Sequence, residues 1–259
     1  MQVSNNGNVR PLPSPDTAQR SPAAANDEAV SHEPATLSRT AVLQTAVEFI
    51  DRHGLAMLTM RRLGAMCGVE AMALYRYVHG RGDLLNGVVD HLLDRLYADQ
   101  LAARRHEDSW QDYLTRLAHG TRRIALQHPQ VFPLIATQPP QAPWLRPPLR
   151  SLRWLDTFLD TLKGYGFTDA AAVAAYRLYT TFLLGHLLLD VSALGAPLHA
   201  EEAVLEDAAQ HASADTAQYR HVHRLQALLS HDHSATYFDE SLHALLHRLD
   251  PLRTPSPAT

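Results

Sequence analysis

"LTMRRLGAMCGVEAMALYRYVHGRGDLL", residues 58–85, decides the reading of this chain. Two short runs with apolar residues at helical spacing meet at Gly68-Val69. The second ends in Tyr75-Arg76-Tyr77, where a helix serving only a core would carry leucines. Thr59 is placed to cap a helix over about Met60–Cys67, and Gly68 breaks it. The next helix is expected from about Glu70 to Val78. Another opens near Gly82-Asp83, where a carboxylate suits the positive end of the helix dipole. Leu63, Val69, Leu74 and Val78 can form a small core, which leaves Ala71, Met72, Ala73, Arg76 and Tyr77 mainly on the other faces. Two short helices about a tight glycine turn, behind a longer helix, make the helix-turn-helix pattern.

Such a face suits the major groove of DNA. Small residues let the backbone come close, Met72 and Ala73 suit thymine methyls, and Arg76 suits a bidentate contact to guanine. Tyrosine hydroxyls and neighbouring arginines suit phosphate oxygens, which position a protein without reading bases. The chain is acidic overall, with a formal charge of −4, but residues 38–82 carry six Arg against three carboxylates. The positive charge therefore sits in the segment that needs it. A bare amphipathic helix with exposed Arg and Tyr would look similar, so spacing alone leaves both readings open.

Upstream, residues 1–37 are rich in Pro, Ser, Ala and Asn without an apolar period, and are expected to be a disordered tail. Ser38 is a good N-cap, and Val42, Leu43, Ala46, Val47, Phe49 and Ile50 form a broad apolar stripe that His53-Gly54 ends. Downstream, the pattern is helical with proline-marked breaks: about 84–105, 110–127, 131–137, 149–164, 169–194, 219–229 and 235–249. The linker "QPPQAPWLRPP" cannot be helical, and a second break runs from Gly195 to about Asp215. No alternating β-branched run argues for strands. The most apolar segment, 180–194, is too short and too polar for a membrane span and reads as a buried helix. A single cysteine, Cys67, and no basic-apolar leader suit a cytoplasmic protein.

At this point "LSRTAVLQTAVEFIDRHGLAMLTMRRLGAMCGVEAMALYRYVHGRGDLL" resembles the tetracycline-repressor (TetR) family of bacterial one-component regulators. The elements that carry the resemblance are His-Gly after the first helix, Leu-Thr-x-Arg-x-Leu, Gly-Val, and Leu-Tyr-x-x-Val before a basic residue and Leu-Leu. It implies an all-α fold: an N-terminal helix-turn-helix DNA-binding domain at 38–84, a larger helical ligand-binding and dimerisation domain at 85–250, and a disordered tail at 251–259. Carried over residue by residue, Met60 and Arg61 approach the operator, Ala71, Met72, Ala73, Arg76 and Tyr77 face bases, and Thr59, Tyr75, Tyr77 and Arg81 touch phosphates. Arg81 stands where lysine is frequent and Cys67 where leucine is common. The later segments "LTRLAHGTRRIALQHP" and "YFDESLHALLHRLD" match the family's regulatory domain more loosely. The resemblance further implies a homodimer through helices at about 169–194 and 235–249, a palindromic double-stranded operator, and repression relieved by a small apolar effector.

For that effector, Trp110, Phe132, Trp144, Trp154, Phe158, Tyr176, Tyr179, Phe182 and His186 are the aromatic and polar groups to inspect first, each also suited to plain core packing. The sixteen histidines, densest at His221, His223, His231, His233, His243 and His247, lack partnering cysteines and a His-Glu-x-x-His motif, and read as dispersed surface residues, not a metal centre. No nucleophile elbow, phosphate loop or paired cysteine motif is present, so neither an enzyme nor a cofactor is expected. A sequence-tolerant architectural DNA binder fits poorly, since nonspecific binding draws on many phosphate contacts and the reading segment carries a modest positive excess.

Overall fold

The structure is a computed structural model that describes residues 37–137, 142, 144, 145, 147, 151–196 and 218–253. The tail expected at 1–37 lies outside the described residues except for Leu37, as do 254–259, most of the proline-rich linker and the break beyond Ala196. From Leu37 onward the chain forms one unit, and the described residues are helical without a strand.

Helix α1 (Arg39–His53) starts where Ser38 Oγ accepts the Ala41 N–H at 3.1 Å, and buries the expected stripe from Val42 to Ile50. It ends at Gly54, whose φ of 76° turns its N–H back onto Ile50 O at 2.7 Å. A single 3₁₀ turn, Leu55–Met57, leads to α2 (Met60–Met66), which Thr59 caps through the Arg62 N–H at 3.2 Å. Helix α3 is regular only over Ala71–Leu74, shorter than the Glu70–Val78 expected from sequence. Beyond Leu74 the chain tightens into i→i+3 bonds, Arg76 N to Ala73 O and Tyr77 N to Leu74 O, which bring Val78 into the core and let the chain turn at Gly80.

Helix α4 (Arg81–Ala103) runs unbroken through residues 84 and 85, where sequence had placed a domain boundary. It packs on α1 near its start and on α5 (Trp110–Gln127) near its end. Ser109 and Asp112 close a reciprocal capping box at the head of α5. After α6 (Phe132–Thr137), α7 (Leu152–Gly164) and α8 (Asp169–Ala193) pack against each other, and α8 also contacts α5, α6 and the last helix. By length and composition α8 could cross a membrane, against the expectation that this region is too short. Here it is a packing helix, burying Tyr176, Tyr179, Leu183 and Leu187 while exposing Leu178 and Leu189. Helix α9 (Arg220–Leu229) buries none of its residues, and α10 (Ser234–Leu249) packs Phe238, Leu242, Leu246 and Leu249 inward. A 3₁₀ turn at Asp250–Leu252 extends α10 into the start of the expected C-terminal tail.

Candidate functional site

The helix-turn-helix is assembled on a core of Leu63, Leu74 and Val78, all fully buried, with Val69 packed against them. The turn is unusually close. Val69 N–H donates to Gly64 O at 2.9 Å, and a Cβ on Gly64 would lie 2.8 Å from Val69 O and 3.1 Å from Ala71 N. Gly64 thus permits the approach of α3 to α2, a requirement that no local pattern announces.

The side chains expected to face DNA differ in their exposure. Met72 is 74% exposed and Tyr75 44%, beside an exposed Arg76 whose guanidinium lies 6.0 Å from the Tyr77 ring. Ala71, Ala73, Met60 and Tyr77 are half-buried, and Thr59 and Arg61 are exposed. Arg81, also exposed, makes contacts within the chain. Its guanidinium donates to Leu55 O at 3.1 Å and Leu58 O at 3.4 Å, fastening the first turn of α4 to the segment before α2. Arg62 donates to Met57 O at 3.0 Å. Sequence reasoning missed Arg39, which donates to Tyr77 O at 2.5 Å and pairs with Asp83 at 3.1 Å. Asp83 also accepts the His79 N–H at 2.8 Å. The Arg39 hydrogen bond, and after it the one from His79, hold the Asp83 carboxyl below its ordinary pKa.

Two side-chain links tie α1 to the helices of the larger domain. His128 Nδ1, just past α5, lies 2.6 Å from Asp51 Oδ2, and His91 Nε2 on α4 lies 3.3 Å from Gln44 Oε1. Burial pushes the His91 pKa down, with the nearby Arg95 charge acting in the same direction.

A narrow cleft opens between α4, α5 and α7. Tyr97, Leu101, Tyr113, Leu117, Trp154 and Tyr165 give it a mixed aromatic and aliphatic lining, with Gln100, Arg104, Arg116, Thr157 and Thr161 among them. Of the nine residues suggested for a pocket, Trp154 lies in this cleft. Trp110, Phe132, Phe158 and Tyr179 are fully buried core residues. Phe158 stacks on Trp154 with ring centroids 5.3 Å apart, backing the cleft from inside. Trp144, 76% exposed, and Tyr176 border a separate hollow over α7 and α8. Phe182 and His186 cluster elsewhere, around Phe238, where Arg122 and Asp190 form an ion pair at 3.6 Å. Among the described residues no group of three His, Cys, Asp or Glu side chains converges on a metal-sized site.

Residues 103–249 match the family model for the tetracyclin repressor-like C-terminal domain. This chain belongs to the tetracycline-repressor family. Among curated relatives, the HTH-type transcriptional repressor DrrR1 of Streptomyces coeruleorubidus is 29% identical over 151 residues, 58% of this chain but only 52% of DrrR1. The class C tetracycline repressor protein of Escherichia coli is 29% identical over 152 residues, 59% of this chain and 65% of that protein. A possible TetR family transcriptional regulator from Streptomyces coelicolor A3(2) superposes with a TM-score of 0.63 at 30% identity, covering 83% of this chain and all of its own. ActR of Streptomyces coelicolor, solved in complex with actinorhodin, shares the fold at a TM-score of 0.60 and 21% identity, over 85% of this chain and 99% of ActR.

Proposed function

We propose that the protein is a transcriptional repressor that binds a palindromic double-stranded operator as a homodimer and lets go when a small molecule fills the cleft between α4, α5 and α7. The observation that carries this is a positively charged head whose α3 presents Met72, Tyr75 and Arg76 outward, joined by one helix to a tetracycline-repressor-like regulatory domain. The DNA contacts are Thr59, Met60, Arg61, Ala71, Met72, Ala73, Tyr75, Arg76 and Tyr77, with Arg81 adding positive potential from behind its clamp. The apolar side chains that α8 leaves exposed, Leu178 and Leu189 among them, supply a dimer surface together with α10.

The mechanism turns on α4. At one end Asp83 is held by Arg39 of α1, and at the other Leu96, Tyr97, Gln100 and Leu101 line the cleft. A ligand that wedges these residues away from α5 and α7 moves the head that α4 carries. To repress, the operator must bind the unwedged state more tightly; to induce, the ligand must bind the wedged one more tightly. Selection of random DNA by the purified protein, followed by binding to the winner across a salt series, tests the proposal. An inverted repeat bound far more tightly than scrambled DNA is the expected result. Weak binding without a recovered motif at any salt overturns it.

A further inference from the structure

The geometry points to an effector of one chemical class: a planar aromatic carboxylate, its rings in the cleft and its anionic group at the mouth. This rests on the reading of the cleft as the effector site. The inner part offers no free negative charge to such a ring. Burial pushes the Tyr113 phenol up to about 12, so it stays neutral at any physiological pH, and Tyr165 donates its hydroxyl to Asp108 O at 2.8 Å. Asp108, a carboxylate of the adjoining hollow, is already paired with Arg116 at 2.8 Å. Trp154 supplies a ring face held in place by its stack on Phe158.

The mouth has the opposite character. Through Leu101, Arg104, Thr161 and Tyr165 the cleft continues into a wider polar hollow that adds Arg105, His106 and Asp160. Arg104 and Arg105 are exposed and form no ion pair among the described residues, while Asp160 is the opposing carboxylate. The loop that presents them is held by Asp108, whose carboxylate accepts the Arg105 N–H at 2.7 Å. Two guanidiniums at the edge of an aromatic slot favour an anion by charge and by fork geometry. A cation would meet two guanidiniums against the carboxylate of Asp160, the single one there unpaired among the described residues. Arg153, on the far side, is already committed to Asp94 and to the Tyr97 ring.

Fluorescence titration of the full-length protein with anthracene-2-carboxylate, its methyl ester and 2-aminomethylanthracene tests the inference. The acid is expected to bind about tenfold more tightly than either partner. That preference should vanish in the Arg104→Gln/Arg105→Gln double variant, whose altered side chains are exposed and leave the fold alone. Trp154→Ala should weaken all three probes alike. Equal affinity for the three, preference for the ester or amine, or no saturable binding of any of them overturns the inference. So does a preference that survives the double variant. The effect of the acid on DNA affinity, measured separately, tests the reading beneath. Selective binding that leaves DNA affinity unchanged supports the ligand class and removes the effector role.

Discussion

At the scale of single residues, the arginines of the head divide by what their guanidiniums already hold. Arg76 is exposed, and its guanidinium has no hydrogen-bond partner among the described residues, so its loss should be felt by DNA alone. Arg76→Ala is expected to cost about 1–3 kcal/mol of operator binding and to relax preference at one base pair per half-site, leaving the melting temperature unchanged. Binding to a panel of single-base operator variants checks this. Arg81→Ala should act differently. It removes the clamp on Leu55 and Leu58 carbonyls, so a loss of about 1–2 kcal/mol of stability should accompany a uniform weakening across sequences. A melting temperature unchanged by Arg81→Ala would contradict the clamp. Asp83 adds a pH dependence. Because its carboxyl titrates lower in the folded chain than in the unfolded one, the Arg39–Asp83 contact stabilises fully above about pH 4 and fades as pH falls through the folded value. Asp83→Asn should therefore lower stability near neutrality and narrow its gap to the parent protein in acid, as thermal melts against pH would show.

Among the elements, α3 owes its place to α2 more than to its own sequence. With one turn of regular helix it has little intrinsic stability, and the close approach at Gly64 holds it. Gly64→Ala would press a methyl group onto Val69 O and Ala71 N, backbone atoms that cannot rotate away. The expected outcome is a loss of about 1–3 kcal/mol and a tilt of α3 that weakens operator binding while α5 to α10 stay folded. Amide exchange resolved by segment would distinguish this from global unfolding. The elements are largely legible in the sequence. Ser38 and Thr59 cap as their residue types require, and α5 spans the Trp110–Gln127 that its periodicity indicates. Gly64 and Arg39 are not legible there, because their roles arise where segments meet: Arg39 and Asp83 are 44 residues apart. The cleft is hidden for a related reason. Sequence offers Trp110, Trp154 and Phe158 alike as candidates, but whether a ring faces a gap or fills the core depends on how α4, α5 and α7 pack.

For the whole molecule, the exposed apolar residues of α8 call for a partner surface. Leu189, 71% exposed near the end of α8, is the sharpest case. Leu189→Glu should shift the protein from dimer to monomer in sedimentation and lower operator affinity at least about tenfold, since each monomer would then bind one half-site without its neighbour. A dimer that survives the substitution would move the interface elsewhere.

The unbroken course of α4 also limits how this protein can change. An insertion within a flexible linker alters reach and little else, but α4 has no linker between its clamp at Asp83 and the cleft at Leu96. One residue added there would advance the head by about 1.5 Å and rotate it by about 100°, turning α3 away from the direction it now faces relative to the regulatory domain. Only substitutions that keep helical phase are open to it, so lineages of this protein should vary in α4 composition and hold its length between those two points constant.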